Sequence, residues 1–219
     1  MVFPLGISMK KHICIYLAFF TFACGSKPND LVEELDYDAF AISLDSIMDL
    51  DQGVRKSFME AMQSGKAVPD SLYKQMNSID ISNQSWLLDK LAKYGWPEQS
   101  KIGDQGARAV FLVIQHADLH VIETYYPELQ RLADRGEARP VHAAMMLDRM
   151  LMYQGKKQVY GTQASGMLRD DGSWVIWPVE NPESVNERRK AVGFPDTIEE
   201  TAASMDAVYN PAELLPKGD

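Results

Sequence analysis

Apolar residues at helical spacing, cut into lengths by glycine and proline, constrain this chain more than any other feature. Phe40, Leu44, Ile47, Leu50 (with Asp51 beside it), Val54 and Phe58 recur at three- and four-residue steps, the spacing of one helix face. They predict an acidic helix within Val32 to Ser64, weakened in its middle by Gly53 and ended by Gly65. Pro69 and Asp70 suit a second start, with a helix running to about Tyr94 and a break expected at Ser82 and Asn83. Gly95-Trp96-Pro97 stops it, because glycine suits the C-terminal cap and proline cannot continue the ladder. A loop is expected to Gly103, then Asp104 as N-cap of a helix from Gln105 to Ala117 whose centre is apolar all round. Further helices are expected over Leu119 to Arg135, ended by Gly136, and from Pro140 to Tyr153, ended by Gly155.

After Lys156 the pattern changes. Gln158 to Thr162 and Trp174 to Trp177 have strand composition, with Asp170-Asp171-Gly172 as a turn between them. This predicts one small antiparallel β-hairpin, followed by short helices near Glu183 to Ala191 and Thr197 to Tyr209. The expected fold is mainly α with that hairpin (α+β), as a single helical domain over residues 31–209 with a frayed tail at 210–219.

The first thirty residues stand apart from that domain. Lys10 and Lys11 precede an uncharged apolar run of eleven residues, Ile13 to Ala23, and then Cys24-Gly25-Ser26. Eleven helical residues reach about 16 Å, roughly half the hydrocarbon thickness of a bilayer. The run is too short to span and suits a signal-peptide core. Ala23 before Cys24 resembles a bacterial lipobox, from which Thr21 and Phe22 depart; the alternative is an ordinary signal peptide cut nearby. Residues 1–23 are therefore expected to be a lipoprotein-type signal peptide, cut before Cys24, with lipid on Cys24 as the membrane partner. Residues 24–30 form a Pro, Gly and Ser-containing tether. The residue after the cysteine is Gly25, not an aspartate that would hold a lipoprotein at the inner membrane. The expected address is the bacterial envelope, at the outer membrane facing the periplasm.

Cleavage removes Cys14 and two lysines. That takes the 22 basic residues to 20 against 31 acidic ones, a net charge of −11. No internal disulfide can then form, and so acidic a domain is a poor candidate for general nucleic-acid or anionic-lipid binding, with local basic spots still open.

Four polar clusters could carry chemistry. Gln115-His116-Ala117-Asp118 closes the most apolar helix. There the helix dipole should raise the pKa of His116, and Asp118 could orient the ring; a plain C-terminal cap is the alternative. His120 could share a metal with His116. Asp148-Arg149 lies inside a stripe of methionine and leucine, the methionines read as core filler. Gln158, Tyr160 and Thr162 would line one face of a strand, with Gln163 next to them. Arg188 and Arg189 form the strongest basic spot, suited to carboxylate or phosphate. For each, a structural role inside the protein competes with a site role.

Taken in order, these clusters resemble a bacterial family of uncharacterised proteins, domain of unknown function 6624. The resemblance rests on Asp51-Gln52 with Arg55, Tyr94-Gly95-Trp96-Pro97, Gly103, Gln115-His116-Ala117-Asp118, Asp148-Arg149, Gly155, Gln158, Tyr160-Gly161-Thr162-Gln163 and Arg188-Arg189 with Gly193. It implies that the clusters share a pocket, and it brings no activity. Three functions compete. One is a pocket for a small anionic or glycan-like ligand, with Gln115, Asp148, Arg149, Gln158, Tyr160, Thr162, Gln163, Arg188 and Arg189 binding and His116 with Asp118 as acid and base. Another is a non-catalytic envelope scaffold. The least favoured is metal-dependent hydrolysis; no metal or cofactor is expected.

Acylation at Cys24 is directly testable. Cells fed a labelled fatty acid should incorporate it into the wild-type chain and not into Cys24→Ala; equal labelling of the two would rule out the anchor.

Overall fold

The computed structural model describes residues 34–64, 67–165, 169 and 172–216. Cys24, the tether, Gly65 and the Asp170-Asp171 turn lie outside them. The described chain from Leu35 onward belongs to one compact unit.

Five long helices build its larger part: α1 (Tyr37–Gln63), α2 (Asp70–Tyr94), α3 (Gln99–Gln115), α4 (Leu119–Asp134) and α5 (Pro140–Tyr153). Each boundary has a local cause. The Asp36 side chain accepts the Ala39 N–H and starts α1, and Asp118 accepts the Val121 N–H and starts α4. Pro140 occupies the first turn of α5, where its missing N–H costs no bond. Gly95 ends α2 at φ 76°, a backbone region closed to most side chains.

Two expectations fail here. α2 runs unbroken through Ser82 and Asn83, because Asn83 is buried on the face that continues through Leu87 and Leu91. The expected loop before Gly103 is a helical turn from Gln99; Gly103, at φ 70°, kinks it away from the rest of α3.

α1 packs on α2 and α3, and α4 packs on α5. Their shared core contains Phe40, Leu44, Leu87, Val110, Phe111, Ile114, Ile122, Leu129 and Met146. α1 presents Asp51, at 2% exposure, to this interior, whereas Leu50 is 55% exposed. The carboxylate, not the leucine, occupies the buried stripe.

The second core is smaller: Ile176, Val179, Val185, Ile198 and Ala202. It is built by α6 (Val185–Val192), α7 (Ile198–Ser204) and the strands β1 (Trp174–Val175) and β2 (Ala207–Val208). Thr197 and Glu200 form a reciprocal capping box at the start of α7.

The antiparallel hairpin is absent from the described residues. β1 pairs in parallel with β2, a segment expected to be helical. Gln158 bridges Val179 in parallel, and Ala164 bridges Ile176 antiparallel. The reason is that the backbone N–H groups of Val159, Tyr160 and Thr162 bond to a helix carboxylate instead of a neighbouring strand. Gly161, at φ 74°, also turns the chain out of the extended region, and a Cβ there would stand 2.0 Å from Ile198 Cδ1. At the start of the tail, Asn210 donates to Glu213 at 3.0 Å, and Glu213 pairs with Arg169.

His142 lies within the helical core, 6% exposed and stacked on Phe111 with ring centroids 4.2 Å apart. Burial, with help from Arg139 and Arg108, lowers its pKa to about 4. A depressed histidine pKa gives stability that is present above about 6.5 and is lost as pH falls towards 4, because the unfolded chain binds the proton first. Urea unfolding should therefore show a loss on the order of 3 kcal/mol from this residue across that window. His142→Phe should flatten the profile, and an unchanged slope would contradict the assignment.

Candidate functional site

His116 caps the C-terminus of α3, and the chain turns at once into α4 through Asp118. The Asp118 carboxylate accepts the Val121 N–H at 3.0 Å, so its observed bond starts the next helix. The carboxylate that faces the histidine comes from α1: His116 Nδ1 lies 3.5 Å from Asp51 Oδ1. Gln52 donates to Asp51 at 2.7 Å and Arg55 Nε donates to it at 3.2 Å. The other side of the Arg55 guanidinium donates to Asp80 of α2 at 2.6 Å. A chain of alternating charges thus runs from α2 through α1 to the end of α3.

The electrostatics of the pair follow from burial and neighbours. Burial pushes the Asp51 pKa up, but His116, Arg55 and Gln52 together outweigh it and hold the carboxyl below its usual value. The His116 pKa is lowered, against the expectation from the helix dipole. Burial is the largest cause, and the positive charges of Arg55 and Arg149 add to it against the pull of Asp51. Desolvation outweighs the end of one helix.

Asp148, on α5, is 0% exposed. Its Oδ1 accepts the N–H groups of Val159 at 2.8 Å and Tyr160 at 3.0 Å, and its Oδ2 accepts that of Thr162 at 3.0 Å. Burial pushes its pKa up, against these N–H donors. Gln158 completes the loop: its amide donates to the carbonyls of Gln163 at 3.0 Å and Trp177 at 2.6 Å and accepts the Gln163 N–H at 3.0 Å. Arg189, 2% exposed, donates to the carbonyls of Tyr160 at 2.8 Å and Asp196 at 3.0 Å and to Thr201. Its guanidinium also lies over Phe194. Arg188 donates to the carbonyls of Val159 at 3.0 Å and Asn181 at 3.1 Å and to the Ser184 hydroxyl at 2.6 Å. Both arginines expected to fork around an anion are occupied inside the protein. Gln158, Tyr160 and Thr162 do not form the expected strand face: Gln158 and Thr162 are buried, and Tyr160 packs towards Phe194.

A cleft of about 620 Å³ opens between α1, the ends of α3 and α5, and residues 162–165. Gln115, His116, Arg149, Thr162 and Gln163 line it together. Asp118, Asp148, Gln158, Tyr160, Arg188 and Arg189 are not among its lining. The remaining wall is mostly apolar: Met59, Met62, Met145, Met152, Met205, Leu112, Trp174 and Tyr153. Met146 is core filler at 0% exposure, but its neighbours Met145 and Met152 turn to the cleft.

Three buried polar atoms on this wall, Gln115 Oε1, His116 Nδ1 and Arg149 Nε, have no hydrogen-bond partner among the described residues. Arg149 has no carboxylate within ion-pair distance among them either. Among the described residues it donates to the Tyr153 hydroxyl, at 3.4 Å, and lies over the face of that ring. No group of three or more His, Cys, Asp or Glu side chains among the described residues is placed to hold a metal ion.

Asp51 was missed as a site residue. The signal lay in the helix period: a carboxylate four residues after Ile47 and three before Val54 sits on the apolar face.

A family model described as a family of unknown function (DUF6624) matches residues 39–211, and the chain belongs to that family. No curated protein and no solved structure matches it.

The Asp148 cluster should behave as structure. Asp148→Ala leaves three backbone N–H groups without their acceptor and should cost on the order of 3–5 kcal/mol in urea unfolding. Arg149→Gln should stay within about 0.5 kcal/mol of wild type. Equal losses for the two would place Arg149 in the same structural cluster and not at a binding surface.

Proposed function

We propose that this protein is an exported, lipid-anchored binding protein of the bacterial envelope, whose cleft takes a small molecule with an anionic group and an apolar body. The single observation that carries the binding part is that Gln115 and Arg149, each with a buried side-chain atom that has no hydrogen-bond partner among the described residues, line one cleft together with His116. Buried polar groups in native proteins are normally satisfied, so two exceptions on residues of one wall point to a ligand that completes them.

The chemistry of the ligand follows from the wall. Arg149 is a permanent cation without a carboxylate partner among the described residues, and guanidinium groups favour carboxylate or phosphate. The methionines offer a deformable apolar surface that suits an alkyl or acyl body better than a fully hydroxylated sugar. The export and anchoring part rests on the signal-like run, Ala23-Cys24 and the tether, with Gly25 favouring the outer membrane.

A scaffold role suits a different set of residues. Asp148, Gln158, Arg188 and Arg189 are satisfied within the fold, and their contribution to the function is to hold residues 162–165 at the cleft.

Hexanoate and hexanol separate the two contributions. Calorimetry on the full chain in detergent should show hexanoate binding at least tenfold more tightly than hexanol, a difference of about 1.4 kcal/mol or more. Arg149→Gln should erase that preference. Equal affinities for acid and alcohol, or an unaffected Arg149→Gln variant, would sink the anion site.

A further inference from the structure

We propose that the cleft also performs hydrolysis: Asp51 holds His116 as a general base that activates water against an acyl ester whose carbonyl oxygen rests on Arg149. The proposal rests on the binding of an acyl compound in the same cleft.

The geometry divides the imidazole into two ends. Nδ1 faces Asp51 Oδ1 at 3.5 Å, and Asp51 is 2% exposed and braced by Gln52 and Arg55. A carboxylate at that end keeps the proton of a neutral ring on Nδ1. Nε2 is then the basic nitrogen, it makes no hydrogen bond among the described residues, and His116 lines the cleft with 18% of its side chain exposed. The 3.5 Å separation is longer than a formed hydrogen bond. Such contacts commonly tighten only when substrate is bound.

The charge state fits the role. Burial, with Arg55 of α1 and Arg149 of α5, lowers the His116 pKa against the pull of Asp51 of α1, so the ring is neutral at pH 7. Arg149 is therefore close enough to be felt by the imidazole, and its buried Nε–H has no other acceptor among the described residues. It supplies the donor that an oxyanion needs.

The step balances without a cofactor. As the water oxygen forms its bond to the acyl carbon, one water proton passes to His116 Nε2 and the carbonyl electrons move onto the oxygen held by Arg149. Collapse of that oxyanion breaks the bond to the alkoxy group, which takes the proton back from Nε2. The products are a carboxylic acid and an alcohol, with His116 neutral again.

The test uses p-nitrophenyl hexanoate and the full chain in detergent. The wild type should release nitrophenol with a rate that rises with pH and levels off below the usual imidazole range. His116→Gln should lose about 100-fold or more. Asp51→Asn should lose about tenfold and move the rising limb to lower pH, because it removes the charge that favours the protonated ring. His120→Gln, on the exposed face of α4, should match wild type. Nitrogen NMR of histidine-labelled protein should show neutral His116 with its proton on Nδ1. Absence of hydrolysis, equal rates in wild type and His116→Gln, or a proton on Nε2 would each overturn the proposal. Hexanoate binding retained alongside such a result confines the failure to the catalytic step; lost hexanoate selectivity in the wild type would fail the binding site itself.

Discussion

The Asp148 carboxylate, buried in the last long helix, accepts backbone N–H groups from three residues of one short loop. The loop in turn accepts from the Arg188 and Arg189 side chains of α6, so the contact ties the helical part to the C-terminal core. A buried carboxylate without partners would be untenable, and a loop with three unmatched N–H groups would be nearly so. Each cancels the other's defect. Tyr160 shows the economy of the arrangement: its N–H bonds to Asp148 while its carbonyl accepts from Arg189. Two buried opposite charges are thus coupled through the main chain of one residue. Gly161 follows at once, where α7 leaves no room for a Cβ.

The cleft has a different character. Its polar groups are incompletely matched, in contrast to the saturated cluster behind them. Asp51, Arg55 and Asp80 form a braced row behind His116, and Arg149 on the cleft has Tyr153 as its hydrogen-bond partner among the described residues. Adjacent residues on one helix therefore serve different settings: Asp148 belongs to a structural network, and Arg149 lines the cleft.

The helices were legible because their causes are local. The 3.6-residue period, Asp36 and Asp118 as caps, Pro140 at a first turn and Gly95 at a terminus all act within a few residues. The small sheet was not legible, because the strand-like composition of residues 158–162 was overridden by a carboxylate on another element. Asp118 looked like the partner of His116 from its proximity in sequence, yet capping is its observed bond. Asp51 is far away in sequence, and Leu50 beside it fits the apolar stripe equally well by spacing, although the fold exposes the leucine and buries the carboxylate. Gln115, His116, Arg149, Thr162 and Gln163 were found as candidates and do meet. Arg188 and Arg189 form the strongest basic spot in the sequence, but their guanidinium groups donate to main-chain carbonyls.

The cleft draws its walls from Met59 near the start of the domain, from the middle of the chain, and from Met205 near its end. No contiguous stretch contains enough of it to bind anything. Loop closure over such separations is late in folding, because long-range contacts form only after local ones have reduced the search. A nascent or partly unfolded chain therefore carries every side chain of the cleft and none of its shape, which forms only as the last long-range closures are made.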